Sequence, residues 1–332
     1  MMKEMKASQT RIAWLDTMKG ILILFVLLSH SHAPSIYVRF FAPFFLTMFF
    51  FVSGYTFSTK GSFRIFVMGK IKRLIVPLMT MGGIKLILAN IIQGDRISER
   101  ITGLLLQISG YNDDLWFIGC MFTASVLFYF VIRFSKTNTK TENNAIIIFI
   151  SIALSIVGWS SVMFLNAKWP WQLENALIMV AYMALGYVYR KYEDSIALEL
   201  NSVKVIVSLS GIYILLFSIF DSSADIHKGI YAFPAVYIVM SLIAIPVLVA
   251  IAKRISNAEK AGEVLQLFGR NTLFLYAFEN YAILVFFKIC NNLRIDNAYI
   301  LSSVCVVFSV VILIPIAELF NRYIPWAVGK NR

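Results

Sequence analysis

Apolar residues run through this chain in blocks of about twenty, and short polar stretches rich in lysine and arginine separate them. A helix needs roughly 20 such residues to cross a hydrocarbon layer of about 30 Å, so each block reads as one membrane span. Ten blocks can be drawn, at 14–33, 37–57, 74–92, 115–133, 145–165, 176–190, 203–220, 231–252, 272–290 and 298–320. The sixth is short and the eighth contains Pro234 and Pro246, so counts of nine or eleven also satisfy the pattern. The pattern predicts an all-α, polytopic transmembrane helix bundle of about ten spans.

Loop charge orients the bundle. With both termini cytoplasmic, the inner segments hold 22 of the 30 lysines and arginines and the outer segments six, while Lys85 and Lys288 fall inside spans. That is the bias expected of cytoplasmic loops. Composition agrees with the class, at 59% hydrophobic residues, 14% charged residues and a mean hydropathy of +0.76. A net charge of +12 invites a nucleic-acid reading. The charges are spread over short loops rather than gathered on one face, so orientation and anionic membrane lipids account for them, and no nucleic acid is expected. The first block lacks a small-residue cleavage site and is read as a permanent span. Cys120, Cys290 and Cys305 lie in apolar context without ligand-like spacing, so neither a disulfide framework nor a metal is indicated. Residues 1–332 read as one membrane-embedded domain.

Within this frame a titratable residue inside a span is the first candidate for chemistry, because burying one in lipid is costly. His30 closes the first block, eleven residues beyond Lys19. At about 1.5 Å per residue it stands roughly 16 Å along the helix, near or past the middle of the bilayer. The plain alternative is a histidine bonded to a neighbouring helix. His32 faces elsewhere on the helix, and His227 reads as a loop residue. Asp16 lies three residues before Lys19 and shares its helix face, which suits either an orienting pair or an interfacial ion pair. Arg64, Lys70, Lys72 and Arg73, closed by Pro77, form the densest basic cluster. It suits a positive-inside anchor, and it also suits a pocket that grips the phosphates of a cytoplasmic ligand.

Several stretches together resemble acyltransferase family 3, a family of membrane proteins. Trp14-Leu15-Asp16-Thr17-Met18-Lys19-Gly20 followed by His30 is similar to its Arg/Lys-x10-His opening. Phe49-Phe50-Phe51-Val52-Ser53-Gly54-Tyr55 resembles the Ser-Gly-aromatic end of its second helix. Lys70-Ile71-Lys72-Arg73 resembles its Arg-x-x-Arg loop, with Lys in the first place. Leu115-Trp116-Phe117, Gly186-Tyr187 and the stretch from Phe268 to Tyr276 match later landmarks, so the resemblance covers about 11–320. One position departs from the pattern: many relatives carry a His three residues after the Tyr, and here that place is Glu279.

The resemblance implies transfer of an acyl group, most often acetyl, from cytoplasmic acetyl-CoA to a hydroxyl of an envelope carbohydrate such as an O-antigen, capsule or exopolysaccharide, possibly lipid-linked. It implies a bacterial inner-membrane enzyme. Lys70, Lys72 and Arg73 would meet the polyanionic end of the donor, with the pantetheine arm threading toward His30. Burial would keep the imidazole neutral, competent as general base or as a transient acyl carrier. Asp16 and Lys19 would be orienting or donor-side groups. Ser53, Tyr55, Trp116 and Glu279 would line the site or meet the acceptor. Ser53 also has a plainer use beside Gly54, letting two helices approach. Asn280, Asp113 and Asp114 could contact a sugar, and Trp169 and Trp171 could stack on one, although Trp near span ends is a common interface anchor. Glu318 and Arg322, spaced i, i+4, suit a structural pair. The competing class is a transporter or flippase with a His30, Glu279, Lys85 and Lys288 relay, and a third is a catalytically silent scaffold.

Overall fold

The computed structural model describes residues 12–59, 61–93, 97–109, 115–136, 141–200 and 202–330. Nearly all of them are helical, and the only strands among them are Ala224–Asp225 and Ile230–Tyr231, a small antiparallel hairpin. The helices are α1 Ala13–His30, α2 Ser35–Phe41, α3 Thr47–Tyr55, α4 Phe63–Lys70, α5 Val76–Gln93, α6 Ile97–Leu106, α7 Trp116–Phe134 and α8 Asn144–Met163. After them come α9 Leu173–Leu200, α10 Val203–Ile219, α11 Pro234–Ser256, α12 Glu259–Arg270, α13 Thr272–Asn292 and α14 Ala298–Tyr323.

Helix covers most of each of the ten apolar blocks. Seven described helices are long and apolar enough to cross a bilayer: α1, the run from α4 to α5, α7, α8, α11, α13 and α14. The other three blocks differ for local reasons. Block 37–57 is broken at Pro43, which has no N–H to continue the ladder, leaving α2 and α3 too short to span singly. The hydroxyl of Thr47 returns to the Pro43 and Phe44 carbonyls and satisfies the break. α9 has 28 residues but carries Arg190, Lys191 and Glu193 in its second half, and α10 has 17 residues. Elsewhere helix starts are capped, with the Asn143 side chain accepting from two first-turn N–H groups of α8 and Asn297 doing the same for α14.

Two close crossings position the site. A Cβ on Gly54 would overlap the Met183 carbonyl, and one on Gly186 would overlap that of Phe51, so α3 and α9 cross backbone on backbone. This is the plain use foreseen for the Ser53-Gly54 pair, and it belongs to the glycine. Gly20 against Leu265 and Gly269 against Asp16 repeat the arrangement where α12 crosses α1. The amphipathic α12 then turns at Asn271 into α13, which rises beside α1.

Between α4 and α5 the helix widens into a π turn, Ile71–Ile75. Pro77 offers no N–H to the Arg73 carbonyl four residues back, which is the physical reason for a defect there. The turn carries Lys72 and Arg73, both exposed.

Candidate active site

α1 ends at His30 because His32 takes the left-handed conformation (φ 56°) and Pro34 follows two residues later. The end of the helix is thus where the imidazole is displayed. Its Nδ1 lies 2.6 Å from Oε1 of Glu279 on α13, 249 residues away in sequence. The Glu279 side chain is 1% exposed and that of His30 is 43% exposed, so the imidazole is open rather than buried as the sequence suggested. A carboxylate only accepts, so with Glu279 ionised Nδ1 carries the hydrogen and Nε2 keeps its lone pair. The other Glu279 oxygen is buried with no hydrogen-bond partner among the described residues.

An aromatic wall stands beside this pair. Three residues before Glu279, Tyr276 accepts a 3.4 Å hydrogen bond from the Phe117 N–H and packs on the Phe117 ring, which itself meets Phe49 and Phe50 edge-on. Trp116 stacks on His227, centroids 5.0 Å apart and planes 18° from parallel. One face of Trp116 is therefore taken by a histidine that reads from sequence as a plain loop residue.

At the basic end of the bundle, Asp16 pairs with Lys19 at 2.6 Å, and Arg270 Nε approaches its second oxygen at 4.0 Å. The structure does not bring Asp16 or Lys19 onto His30, which stands a helix-length away on the same α1. Tyr55 also belongs to this end. Its hydroxyl donates to Glu193, its carbonyl accepts from Arg190 at 3.3 Å, and its ring meets Trp14 edge-on. Glu193 is paired with Lys253 at 2.6 Å, and Lys253 also donates to the Tyr189 hydroxyl and lies over the Trp14 ring. Ser53 is half-buried beside the Gly54 crossing.

Of the basic cluster, Lys70 lies over the Phe57 and Phe66 rings, 5.6 and 5.8 Å from their centroids, while Lys72 and Arg73 face outward on the π turn. The C-terminal hook, Pro325–Lys330, docks beside them. Thr80 donates to the Ala327 carbonyl at 3.1 Å, and Gly329, at φ 73°, packs so closely on the Arg73 carbonyl that a Cβ would stand 2.6 Å away. Lys330 reaches Asn271 at 3.4 Å, one residue from Arg270. Lys72, Arg73, Arg270 and Lys330 thus come from three separate stretches to one end of the bundle, a donor-rich cationic set of the kind that suits a polyanion.

In the sequence Arg270 falls within the landmark stretch from Phe268 to Tyr276 but has no role assigned to it, Lys330 reads as a loop charge, and Glu193 carries no motif at all. Glu318, expected to pair with Arg322, instead accepts from Asn271 at 2.7 Å and Asn321 at 3.1 Å, while Arg322 lies over Tyr323. Asp113 and Asp114 lie outside the described residues.

A family model described as an acyltransferase domain, acyltransferase family 3, matches residues 12–318. The chain belongs to acyltransferase family 3. No curated protein and no solved structure matches it. Family membership and the apolar helices together make this a multi-pass membrane acyltransferase. The match takes in His30, Glu279 and the Lys72–Arg73 turn, whereas the hook that carries Lys330 follows it.

Proposed function

We propose that the protein is an O-acyltransferase of the bacterial inner membrane that moves acetyl from cytoplasmic acetyl-CoA to a hydroxyl of an envelope glycan, an O-antigen, capsule or exopolysaccharide. The observation that carries this reading is the 2.6 Å contact between Nδ1 of a partly exposed His30 and a buried carboxylate. Carboxylate, imidazole and a hydroxyl in series are the parts of a general-base site.

Lys72 and Arg73, with Arg270 and Lys330, would hold the phosphates of the donor, which supplies an activated acyl thioester. His30 Nε2 takes the proton of the acceptor hydroxyl as its oxygen forms the new ester bond. The carbon–sulfur bond breaks, and the imidazolium returns the proton to the departing thiolate sulfur. Glu279 holds the Nδ1–H throughout and stabilises the imidazolium between the two transfers. In this reading His30 is a base rather than an acyl carrier.

The test is the mass spectrum of surface glycans from cells with the intact gene, a deletion and His30→Ala, with membrane levels of the protein matched. An acetyl-sized increment that vanishes in both altered strains supports the reading. An increment that survives in His30→Ala at the wild-type rate sinks it. A fall in surface glycan with unchanged modification would instead favour the transport reading, in which the His30–Glu279 pair relays protons.

A further inference from the structure

The stretch after α14 packs back onto the bundle. Pro325, Ala327 and Val328 are buried, and Thr80 on α5 donates to the Ala327 carbonyl at 3.1 Å. Gly329 caps this short turn in the left-handed region, and a Cβ there would stand 2.6 Å from the Arg73 carbonyl oxygen and 3.2 Å from the Arg73 Cα. Backbone does not swing aside as the tip of a side chain can, so alanine at 329 would be opposed twice, by its φ and by its neighbour. The carbonyl it would meet is the one to which Pro77 offers no N–H, so the hook is seated on the defect that makes the π turn.

One residue further, Lys330 donates to Oδ1 of Asn271 at 3.4 Å. Asn271 is buried and stands between α12 and α13. Its Oδ1 also accepts from Asn321 at 2.8 Å, and its Nδ2 donates to Glu318 at 2.7 Å and to the Leu267 carbonyl at 3.0 Å. A carboxylate and a carbonyl only accept and an ammonium only donates, so one orientation of the amide serves all four partners. Arg270 is the preceding residue, its Nε 4.0 Å from Asp16. The hook therefore ties the turn that carries Lys72 and Arg73 to the junction that carries Arg270, and Lys330 is the link.

Cations gathered in this way repel one another, and fixing them in advance lowers the ordering cost that a bound polyanion would otherwise meet. We propose that the hook is a positioning element of the donor site, in which Gly329 seats it on the π turn and Asn271 holds Lys330 beside Arg270 for the phosphates of the donor. Gly329 and Asn271 act through the cations and do not themselves touch the donor. The proposal rests on the reading that this end of the bundle holds acetyl-CoA, and the hook itself lies beyond the stretch that the family model matches. The plain alternative is a tie that only fastens α14 to α5.

The experiment is calorimetric titration of coenzyme A into the full chain in phosphatidylcholine nanodiscs, at about 0.05 M and about 0.5 M NaCl. Gly329→Ala is expected to raise Kd about tenfold at low salt, the worth of one charge-assisted hydrogen bond, and Thr80→Val, which keeps the shape and loses the donor to Ala327, about threefold. Both gaps should close at high salt, where screening removes the cations' contribution from wild type and variants alike. His30→Ala, at the other end of α1, should bind as wild type does. Thermal midpoints are measured alongside, and if Gly329→Ala unfolds early then Thr80→Val decides.

Wild-type affinity in the hook variants overturns the positioning role and leaves the donor reading intact. A gap that persists undiminished at high salt makes the hook a structural tie and overturns it as well. No binding of coenzyme A by wild type overturns the role and the donor reading together. Hook-dependent, salt-sensitive binding in a protein that acylates no glycan leaves the positioning role standing and removes the glycan.

Discussion

The two ends of the bundle treat charge in opposite ways. At the basic end, ionic groups sit in networks: Asp16 with Lys19 and Arg270, Glu193 with Lys253 and Tyr55, Glu318 with Asn271 and Asn321. Around His30, and at the opposite end of the bundle, some polar atoms are buried with no hydrogen-bond partner among the described residues, namely one oxygen of Glu279, the Asn175 carbonyl and the Ser109 hydroxyl. A paired group near water contributes modestly to stability and can hold a helix end in place. An unpaired group in a low-dielectric interior is costly unless a ligand or a buried water supplies the partner. The basic end therefore reads as a frame that gathers cations, and the His30 side as the place where bonds are remade.

That contrast can be broken at several points. The largest effect is expected at His30, where the Ala variant should lose about 10² to 10⁴ in acyl transfer. Because the variant leaves the 1% exposed Glu279 carboxylate without its His30 partner, a smaller loss of about 1–3 kcal/mol in stability is expected beside it. A stability loss as large as the activity loss would make His30 a packing residue.

Glu279→Gln comes next. It keeps the shape but allows an amide to donate to the ring, so the tautomer is no longer enforced, and a loss approaching that of His30→Ala is expected in kcat. Glu279→His places there the residue that the family resemblance implies, and it should retain more activity than the Gln variant, because a neutral imidazole can accept from Nδ1–H. Equal activity for all three proteins would remove Glu279 from the mechanism. Incubation with acetyl-CoA in the absence of acceptor should leave His30 unmodified by mass spectrometry of the intact protein. An acetyl adduct on the imidazole would convert the base into a carrier.

At the basic end, Lys72→Ala, Arg73→Ala or Lys330→Ala should each raise KM for the donor about three- to tenfold with kcat little changed, the size of one charge-assisted hydrogen bond partly screened by water. Steady-state kinetics at varied acetyl-CoA checks this. A fall in kcat instead would move these residues into the chemistry. The smallest effect is expected for Lys253→Met, which breaks a partly buried pair with Glu193. About 0.5–1 kcal/mol of stability should be lost, read from a denaturant or thermal midpoint, with transfer nearly intact.

Much of this was legible before any coordinates. The apolar blocks located the helices, and the break in the second block at Pro43 could have been anticipated, since a proline in mid-helix removes a hydrogen bond. His30 stood out because an imidazole in an apolar run is unusual, and Glu279 because it stands where the family resemblance implies a histidine. That the two touch was not legible, since α1 and α13 carry no local signal of which faces meet. The same holds for Lys330, whose place beside the π turn follows from Gly329 fitting against Arg73, and for His227, whose partner Trp116 lies more than a hundred positions away.

By itself, then, the sequence determined the class of protein, the approximate spans and the residues with chemical potential. These follow from transfer free energies and backbone rules that act within a few neighbours and sum along the chain. The tertiary structure alone decided that Glu279 steadies His30, that Asp16 and Lys19 stay at the basic end, and that Gly329 seats the hook on the π turn. Such pairings depend on how helices far apart in the chain pack against one another, down to backbone contacts that only a glycine permits, and no local property of either partner records them.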